Sequence, residues 1–299
     1  MKTLTQKQLT KFENEGYLLV RQALDDSDLA PVIREYATYI DRRAHELLAE
    51  GKISQLYEAQ PFERRLASIS RETAELYPEL DIFHLRGQAS FAFLRNKNLL
   101  DMVECIVGPE ITCSPIQHIR PKLPAGLTPS GNDPHVVPWH QDAGVTWAEA
   151  DPYDIVTVWL PLTAARQESG CLQILPGMHK AGLRQHESKR GVGTTIAKAE
   201  MPETKSVTLP MNKGDVLFMH KMTPHRSTRN VTDTIRWSMD LRYQATGTPT
   251  GRPFYPDFVV RSRTNPNTVL TDHAEWDQQW AEALANAKGN GVRLHRWSK

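Results

Sequence analysis

The chain has 299 residues, and its 36 Lys plus Arg are balanced by 35 Asp plus Glu. A balanced charge gives no electrostatic footprint for nucleic acid or for an anionic membrane surface, so we expect neither as a partner. No stretch approaches the ~18 apolar residues of a membrane span, and the opening residues MKTLTQKQLTKFENEG lack an apolar run of the signal-peptide type. These features predict a soluble, cytoplasmic protein.

The three cysteines, Cys105, Cys113 and Cys171, are odd in number and lack the short paired spacings of zinc or redox motifs. We therefore expect free thiols that are buried as small apolar side chains.

The first residues predict a helical region. Residues 4–15 have helical spacing and end at Gly16, and Tyr17–Val20 reads as a short strand. Ser27 is a candidate N-cap for a second, amphipathic helix. The apolar positions of that helix recur at threes and fours: Leu29, Ile33, Tyr36 and Ile40.

The pattern changes from helix to strand in the middle of the chain. Residues 99–107 predict a helix that ends at Gly108-Pro109, and residues 111–119 predict a strand. Residues 121–138 contain five prolines and two glycines, which predict a long loop. Loops of this length in compact domains are usually functional, so we expect substrate selection here.

Several short strands separated by turn signals follow this loop. They are predicted at residues 153–160, 170–175, 205–209 and 216–220, the last two as a hairpin-like pair around residues 211–215. Residues 178–204 form a polar excursion, interpreted either as a solvated loop or as a positively charged lid. Short strands of this kind favour a sandwich or barrel.

Residues 234–243 predict a strand with two distinct faces. The apolar face has Trp237, Met239, Leu241 and Tyr243, and the polar face has Arg236, Ser238, Asp240 and Arg242. A face this charged is expected to line a polar cavity. Asp272 is a candidate N-cap for a last helix, in which Trp276, Trp280 and Leu284 share one face.

These elements predict an α+β protein with a mainly β core and flanking helices. We expect one domain over residues 1–299, with a helical part at about 1–110, a β core at about 111–245, and a loop and helix at 246–299.

The stretch PWHQDAG, residues 138–144, suggests a metal site. His140 and Asp142 are two residues apart, so on a strand both point to the same face. Two histidines and one carboxylate form the facial triad of non-haem Fe(II) oxygenases. Candidates for the second histidine are His179, His186, His220, His225 and His273.

His220 and His225 fit best, and residue spacing alone leaves both open. Arg236 follows His225 by eleven residues, which favours His225 if a carboxylate co-substrate shares the metal. Arginine suits that task because its fixed charge and planar fork match a carboxylate.

HQD at 140–142, GDVLFMHKMTPHRSTRN at 214–230 and Arg236 together resemble the phytanoyl-CoA dioxygenase (PhyH-like) family of Fe(II)/2-oxoglutarate oxygenases. KFENEGYLLVRQAL near the start and SGCLQILPGMHK at 169–180 are also similar to that family. The resemblance covers most of residues 9–243 and implies a double-stranded β-helix, the jelly-roll or cupin-like fold.

The resemblance implies Fe(II) held by His140, Asp142 and His225, with 2-oxoglutarate and O₂ as co-substrates. It also implies that Arg236 binds the distal carboxylate of 2-oxoglutarate, helped by Ser227.

Trp159 matches a tryptophan that lies near the co-substrate in relatives. A lysine that some relatives add to this contact has no counterpart before Gly108-Pro109, and His84 and Gln117 are the substitutes considered.

The substrate is expected to be a small molecule, polar or anionic because of Arg242 and the cationic residues 184–190. Trp139 and Trp147 flank the HQD motif and fit either a substrate wall or core packing.

The expected reaction is hydroxylation with release of succinate and CO₂, since Asp142 disfavours halogenation. The alternatives are a 2-oxoglutarate-independent cupin-like metalloenzyme and a catalytically silent small-molecule-binding relative. The sequence does not give the oligomeric state.

Overall fold

The computed structural model describes residues 2–127, 136–189, 193–290 and 295–297. The described α-helices are α1 (Gln6–Glu15), α2 (Asp26–Ala49), α3 (Phe62–Ser70), α4 (Ile82–Leu85), α5 (Gln88–Leu94), α6 (Lys97–Val107) and α7 (His273–Asn290). The described strands are β1 (Tyr17–Val20), β2 (Ile111–Cys113), β3 (His118–Lys122), β4 (Ile155–Pro161), β5 (Leu172–Ile174), β6 (His186–Lys189), β7 (Gly193–Ile196), β8 (Val207–Leu209), β9 (Val216–His220), β10 (His225–Ser227), β11 (Arg236–Ala245) and β12 (Phe258–Arg261).

Two antiparallel sheets form the centre of the fold. The larger sheet has the strand order β1-β9-β4-β11-β2-β12, with β3 also paired to β11, and the smaller sheet has the order β10-β5-β8. A buried apolar cluster joins them, with Trp159 and Leu217 from the larger sheet and Leu172 and Ile174 from the smaller. This is the double-stranded β-helix of an α+β fold, so the predicted fold class is confirmed. The assignment of one domain to residues 1–299 stays a prediction.

The helices cover the outer face of the larger sheet. Helix α2 buries a stripe made of Leu29, Val32, Tyr36, Ile40, Ala44 and Leu47. The predicted N-cap Ser27 is wrong, because the helix begins two residues earlier at a capping box. There Asp25 is the N-cap, and the Asp28 carboxylate accepts a hydrogen bond from its backbone N–H at 3.0 Å.

Strand β11 has the two faces that the sequence predicts. Its apolar residues pack under the helices, where Tyr36 meets Trp237 edge-on at 5.6 Å between ring centroids and Phe62 stacks on the same indole at 4.8 Å. The opposite face lines a cavity between the two sheets and consists of Arg236, Ser238, Asp240 and Arg242. This strand therefore separates the apolar core from the polar site.

The predicted hairpin of residues 205–209 and 216–220 is wrong. Strand β8 pairs with β5 in the smaller sheet, whereas β9 lies between β1 and β4 in the larger sheet. The short turn between β8 and β9 therefore carries the chain from the smaller sheet to the larger one.

Two other predicted elements are subdivided. Residues 111–119 form β2 and β3 with a break at Pro115, and the excursion 178–204 contains the β6–β7 hairpin instead of being all loop. The middle of the proline-rich loop, residues 128–135, and residues 190–192 lie outside the described residues.

The cysteines match their prediction as free thiols. Cys113 and Cys171 are buried, and Cys105 is partly exposed. Within the described ranges, none of the helices has the length and apolar content that crossing a bilayer requires.

Helix α7 closes the fold over the helical layer. The Asp272 carboxylate accepts a hydrogen bond from the backbone N–H of Ala274 at 2.8 Å, as expected of an N-cap. Trp276 is fully buried and stacks on Phe91, with 5.2 Å between ring centroids. Trp280 is equally buried, so two indoles attach this helix to the rest of the chain.

Replacing Trp276 with Ala should lower the free energy of unfolding by about 3–5 kcal/mol, because it leaves a large cavity in the core. Urea denaturation followed by circular dichroism measures this change. Gln278→Ala, on the exposed side of the same helix, is the control and should change the value by less than about 0.5 kcal/mol. Equal effects of the two substitutions would contradict a packing role for α7.

Candidate active site

His140, Asp142 and His225 come together at one end of the cavity. Each offers one ligand atom, and these atoms lie within 4.8 Å of one another. Two backbone hydrogen bonds join the histidines, from His140 N–H to the His225 carbonyl at 3.0 Å and from His225 N–H to the His140 carbonyl at 2.9 Å. This bridge places the rings 4.1 Å apart between centroids.

Backbone carbonyls set the tautomer of both rings. Nδ1 of His140 lies 2.9 Å from the Pro138 carbonyl, and Nδ1 of His225 lies 3.0 Å from the Thr223 carbonyl. A carbonyl only accepts, so each Nδ1 carries the proton and each Nε2 keeps a free lone pair for a metal. Burial lowers the pKa of His140 to about 3, and the adjacent His225 adds to this effect.

Asp142 is held as a carboxylate. Arg242 donates to Oδ1 at 2.7 Å, and the Thr157 hydroxyl donates to Oδ2. Burial alone would raise the pKa of Asp142, but the Arg242 charge acts together with His225, His140 and the Thr157 hydroxyl to keep this pKa well below the ordinary value. The group therefore combines two imidazoles with one anionic oxygen donor, which is the ligand set of a non-haem Fe(II) triad.

The other candidate histidines lie elsewhere. His220 accepts a hydrogen bond from the Met222 N–H at 3.1 Å and lines a separate cavity of about 330 Å³ beside His179. His186 accepts from the Gln141 N–H at 3.0 Å, and His273 contacts the Arg86 carbonyl. The geometry therefore favours His225 over His220 as the third ligand.

The triad opens into a cavity of about 530 Å³ between the two sheets. Strand β11 forms its floor together with β3 and β4, which pair with it on either side. Across these strands Arg236 is paired with Lys122, Ser238 with Arg120 and Pro161, and Asp240 with His118 and Trp159. Further lining residues are Ile116, Val137, Pro138, Val145, Leu172, Gly193, Thr194, Arg226, Ser227, Arg242 and Arg252.

Arg236 is a buried cation without a carboxylate partner among the described residues. Its Nη1 donates to the Ser238 hydroxyl, its guanidinium lies 5.2 Å from the centroid of the Trp159 ring, and its Nε has no hydrogen-bond partner within the described ranges. Burial, with the nearby Arg120 charge, lowers its pKa to about 10, so it stays charged at neutral pH. An unpaired guanidinium fits an anionic co-substrate, because a buried charge without a counter-ion is unfavourable.

Lys122 is a site residue that the sequence analysis missed. It is 2% exposed, and its Nζ donates to the Ser227 hydroxyl at 2.7 Å. Gly170 makes room for it, since a Cβ there would stand 2.5 Å from the Lys122 side chain. The alternation of His118, Arg120 and Lys122 in the segment HIRPK is the signal that could have found it, because alternate residues of a strand share one face and the first two line the cavity.

The comparison with known families decides which kind of metal site this is. A family model described as Phytanoyl-CoA dioxygenase (PhyH) matches residues 12–238. The chain belongs to the PhyH family. This membership makes it an enzyme of the iron- and 2-oxoglutarate-dependent oxygenases.

Individual relatives are distant. The chain is 25% identical to human peroxisomal phytanoyl-CoA dioxygenase over 252 residues, which are 80% of this chain and 68% of the relative. It is 28% identical over 246 residues to 1-deoxypentalenic acid 11-beta-hydroxylase from Streptomyces arenae, with 78% of each chain covered. The crystal structure of the epimerase SnoN with Fe3+, alpha ketoglutarate and nogalamycin RO has a TM-score of 0.54 at 20% identity, covering 83% of this chain and 88% of that chain.

Several predicted contacts of this PhyH chain lie outside its cavity. Gln117 is buried with its Oε1 3.9 Å from Cys113 Sγ, and His84 is exposed, so neither replaces the family lysine. Trp139 packs against the Arg226 guanidinium, 4.9 Å from its ring centroid. Trp147 does not line the cavity either, and the substrate-wall role of both tryptophans stays a prediction.

Arg242 lines the cavity but is already paired. It bonds to Asp142 at 2.7 Å and to Asp240 at 3.2 Å. Its charge therefore stabilises the metal-ligand carboxylate and does not offer a free site for a substrate.

The two candidate third ligands can be separated by substitution. His225→Ala should abolish stoichiometric Fe(II) binding, because one of three protein ligands is lost, whereas His220→Ala should leave it unchanged. Anaerobic equilibrium dialysis against Fe(II) measures the bound metal, and circular dichroism checks folding. Loss of iron in His220→Ala with retention in His225→Ala would reverse the assignment.

Proposed function

We propose that this enzyme hydroxylates a small-molecule substrate, using Fe(II) and 2-oxoglutarate and releasing succinate and CO₂. The observation that carries the proposal is that one cavity contains both the His140–Asp142–His225 triad and the unpaired guanidinium of Arg236. A metal triad alone is common to many enzymes. The added cation specifies a co-substrate with a carboxylate away from the metal.

The metal site is prepared by the protein before the metal binds. Nε2 of His140, Nε2 of His225 and a carboxylate oxygen of Asp142 would hold the iron, each already oriented by its own hydrogen bond. Bound iron and 2-oxoglutarate supply the oxidation of a substrate C–H bond by dioxygen.

Arg236, Lys122 and Ser227 are proposed to hold the distal carboxylate of 2-oxoglutarate. Lys122 and Ser227 already share a hydrogen bond of 2.7 Å, and Lys122 is paired with Arg236 across the sheet. We assign Lys122 as the counterpart of the lysine that some relatives use. The Trp159 ring covers Arg236 and limits its contact with water, which strengthens the pairing of opposite charges.

Small-molecule hydroxylation is supported by a relative. The Streptomyces protein is a hydroxylase of 1-deoxypentalenic acid, a small molecule. The present cavity of about 530 Å³ has the size of a small-molecule site. We also propose that the outcome of the reaction is hydroxylation, that the substrate is polar or anionic, and that the enzyme is cytoplasmic.

The two alternatives lack support from the site. A cupin-like metalloenzyme that does not use 2-oxoglutarate has no need of Arg236 without a counter-ion. A catalytically silent binding relative has no need for both imidazoles to present a free Nε2.

Succinate formation tests the proposal. The full chain with Fe(II), 2-oxoglutarate and oxygen is screened against a panel of metabolites, and succinate is measured by mass spectrometry. We expect at least one compound to increase succinate formation and to gain 16 mass units through one oxygen atom, which is the arithmetic of hydroxylation. Asp142→Ala is the inactive control, and succinate formation by this variant at the wild-type rate would contradict the assigned site.

Arg236→Gln should raise the Michaelis constant for 2-oxoglutarate by roughly 10- to 100-fold, since a hydrogen bond to a charged group contributes about 1.5–3 kcal/mol. Lys122→Met should act in the same direction. Steady-state kinetics at saturating Fe(II) measures the effect, and Arg64→Gln, an exposed arginine paired with Asp233, is the matched control. An unchanged Michaelis constant in Arg236→Gln would contradict its role, provided that Fe(II) binding is retained.

A further inference from the structure

Arg252 is a second cavity arginine without a carboxylate partner. It follows β11 and folds back so that its Nε donates to the Val145 carbonyl at 2.7 Å. Within the described ranges, no carboxylate lies within ion-pair distance of it, and its two terminal nitrogens make no hydrogen bond. The side chain is partly buried and lines the cavity.

Other arginines of this protein show how unusual that environment is. Arg242 is paired with Asp142 and Asp240, and Arg261 is paired with Asp101 at 2.9 Å and Glu104 at 2.7 Å. Burial and the nearby Arg242 charge lower the pKa of Arg252 to about 10, so it remains a cation at neutral pH. A partly buried cation next to another cation lacks a counter-ion, and an anionic ligand would supply one.

Arg252 lies at the metal end of the cavity, away from the site proposed for the distal carboxylate. Val145, its backbone contact, ends the short turn Asp142–Val145 that begins at the metal-ligand carboxylate. Arg236 and Arg242 are separated by six residues of β11, about 20 Å along an extended strand. The charge of Arg252 interacts with the charge of Arg242, which is bonded to the metal ligand Asp142. A 2-oxoglutarate molecule bound to Arg236 would therefore leave Arg252 without a counter-ion.

The remaining cavity cations are less suited to bind a substrate group. Arg226 donates to the Gln173 side chain at 2.7 Å and packs on Trp139. Arg120 is exposed and therefore solvated, and it lies near Arg236. Arg252 alone combines partial burial, proximity to the metal-ligand turn and a planar fork with two unused donors among the described residues.

We propose that Arg252 binds a carboxylate of the primary substrate, so that this enzyme oxidises a small organic acid. The proposal rests on the proposed function, and it adds the chemical class of the substrate and the residue that recognises it. Two parallel N–H donors match the two oxygens of one carboxylate. The bond would hold the acid group beside the metal-ligand turn and present the carbon skeleton to the metal.

The test uses pairs of compounds that differ only in charge. A panel of small organic acids and their primary carboxamides is titrated into the full chain loaded with Fe(II) and 2-oxoglutarate without oxygen, and isothermal calorimetry gives each dissociation constant. We expect at least one acid to bind roughly 10- to 100-fold more tightly than its amide, the range for a charge-assisted hydrogen bond. Arg252→Gln should remove this preference, and Arg252→Lys should retain part of it.

Controls separate this proposal from the proposed function. The visible absorption of the anaerobic iron–2-oxoglutarate complex should be the same in wild type, Arg252→Gln and the surface control Arg64→Gln, which shows that the site is folded. The titrations are repeated without 2-oxoglutarate, so that binding of the acids is measured independently of the co-substrate. If 2-oxoglutarate does not bind, that result contradicts the proposed function alone. Equal binding of acids and amides across the panel, or an acid preference that survives in Arg252→Gln, would overturn the role of Arg252.

Discussion

The buried ion pair between Asp142 and Arg242 is the interaction on which the site depends. It connects the turn that bears a metal ligand to β11, the strand that separates the apolar core from the cavity. On the other side of the same turn, two backbone hydrogen bonds join His140 to His225 of the smaller sheet. Removing Arg242 would leave a buried carboxylate unpaired, which is costly in a low-dielectric interior. The pair therefore aligns the two sheets and keeps a ligand ionised.

Unequal charge pairing divides the cavity into regions with different tasks. Arg242 is neutralised by two carboxylates and serves the metal ligands. Arg236 and Arg252 have no carboxylate partner within the described ranges; Arg236 begins β11, whereas Arg252 contacts the turn that bears the metal ligand Asp142. Each is available to an anion that comes from solution. The two proposals assign Arg236 to the carboxylate of the co-substrate and Arg252 to the carboxylate of the substrate.

Local sequence patterns predicted the helices and strands of this fold better than they predicted which strands pair with each other. The two faces of β11 follow from the alternation of side chains along a strand, and they were predicted correctly. The hairpin of β8 and β9 was wrong, since a short turn fits either a hairpin or a crossing between sheets and only the partners of each strand distinguish the two. Lys122 was missed for the same reason, because its role depends on pairing with Arg236 and on the space above Gly170.

Sequence alone was sufficient for the chemical class of the site. His140 and Asp142 form a local pair typical of metal ligands, and the family resemblance added His225 as the third predicted ligand and Arg236 as the predicted carboxylate partner. The tertiary structure was needed to exclude His220, to move Trp139 and Trp147 out of the cavity and to find Arg252. Those conclusions depend on contacts between residues that are far apart in the chain. Examples are the contact of Asp142 with Arg242 and that of Arg252 with Val145.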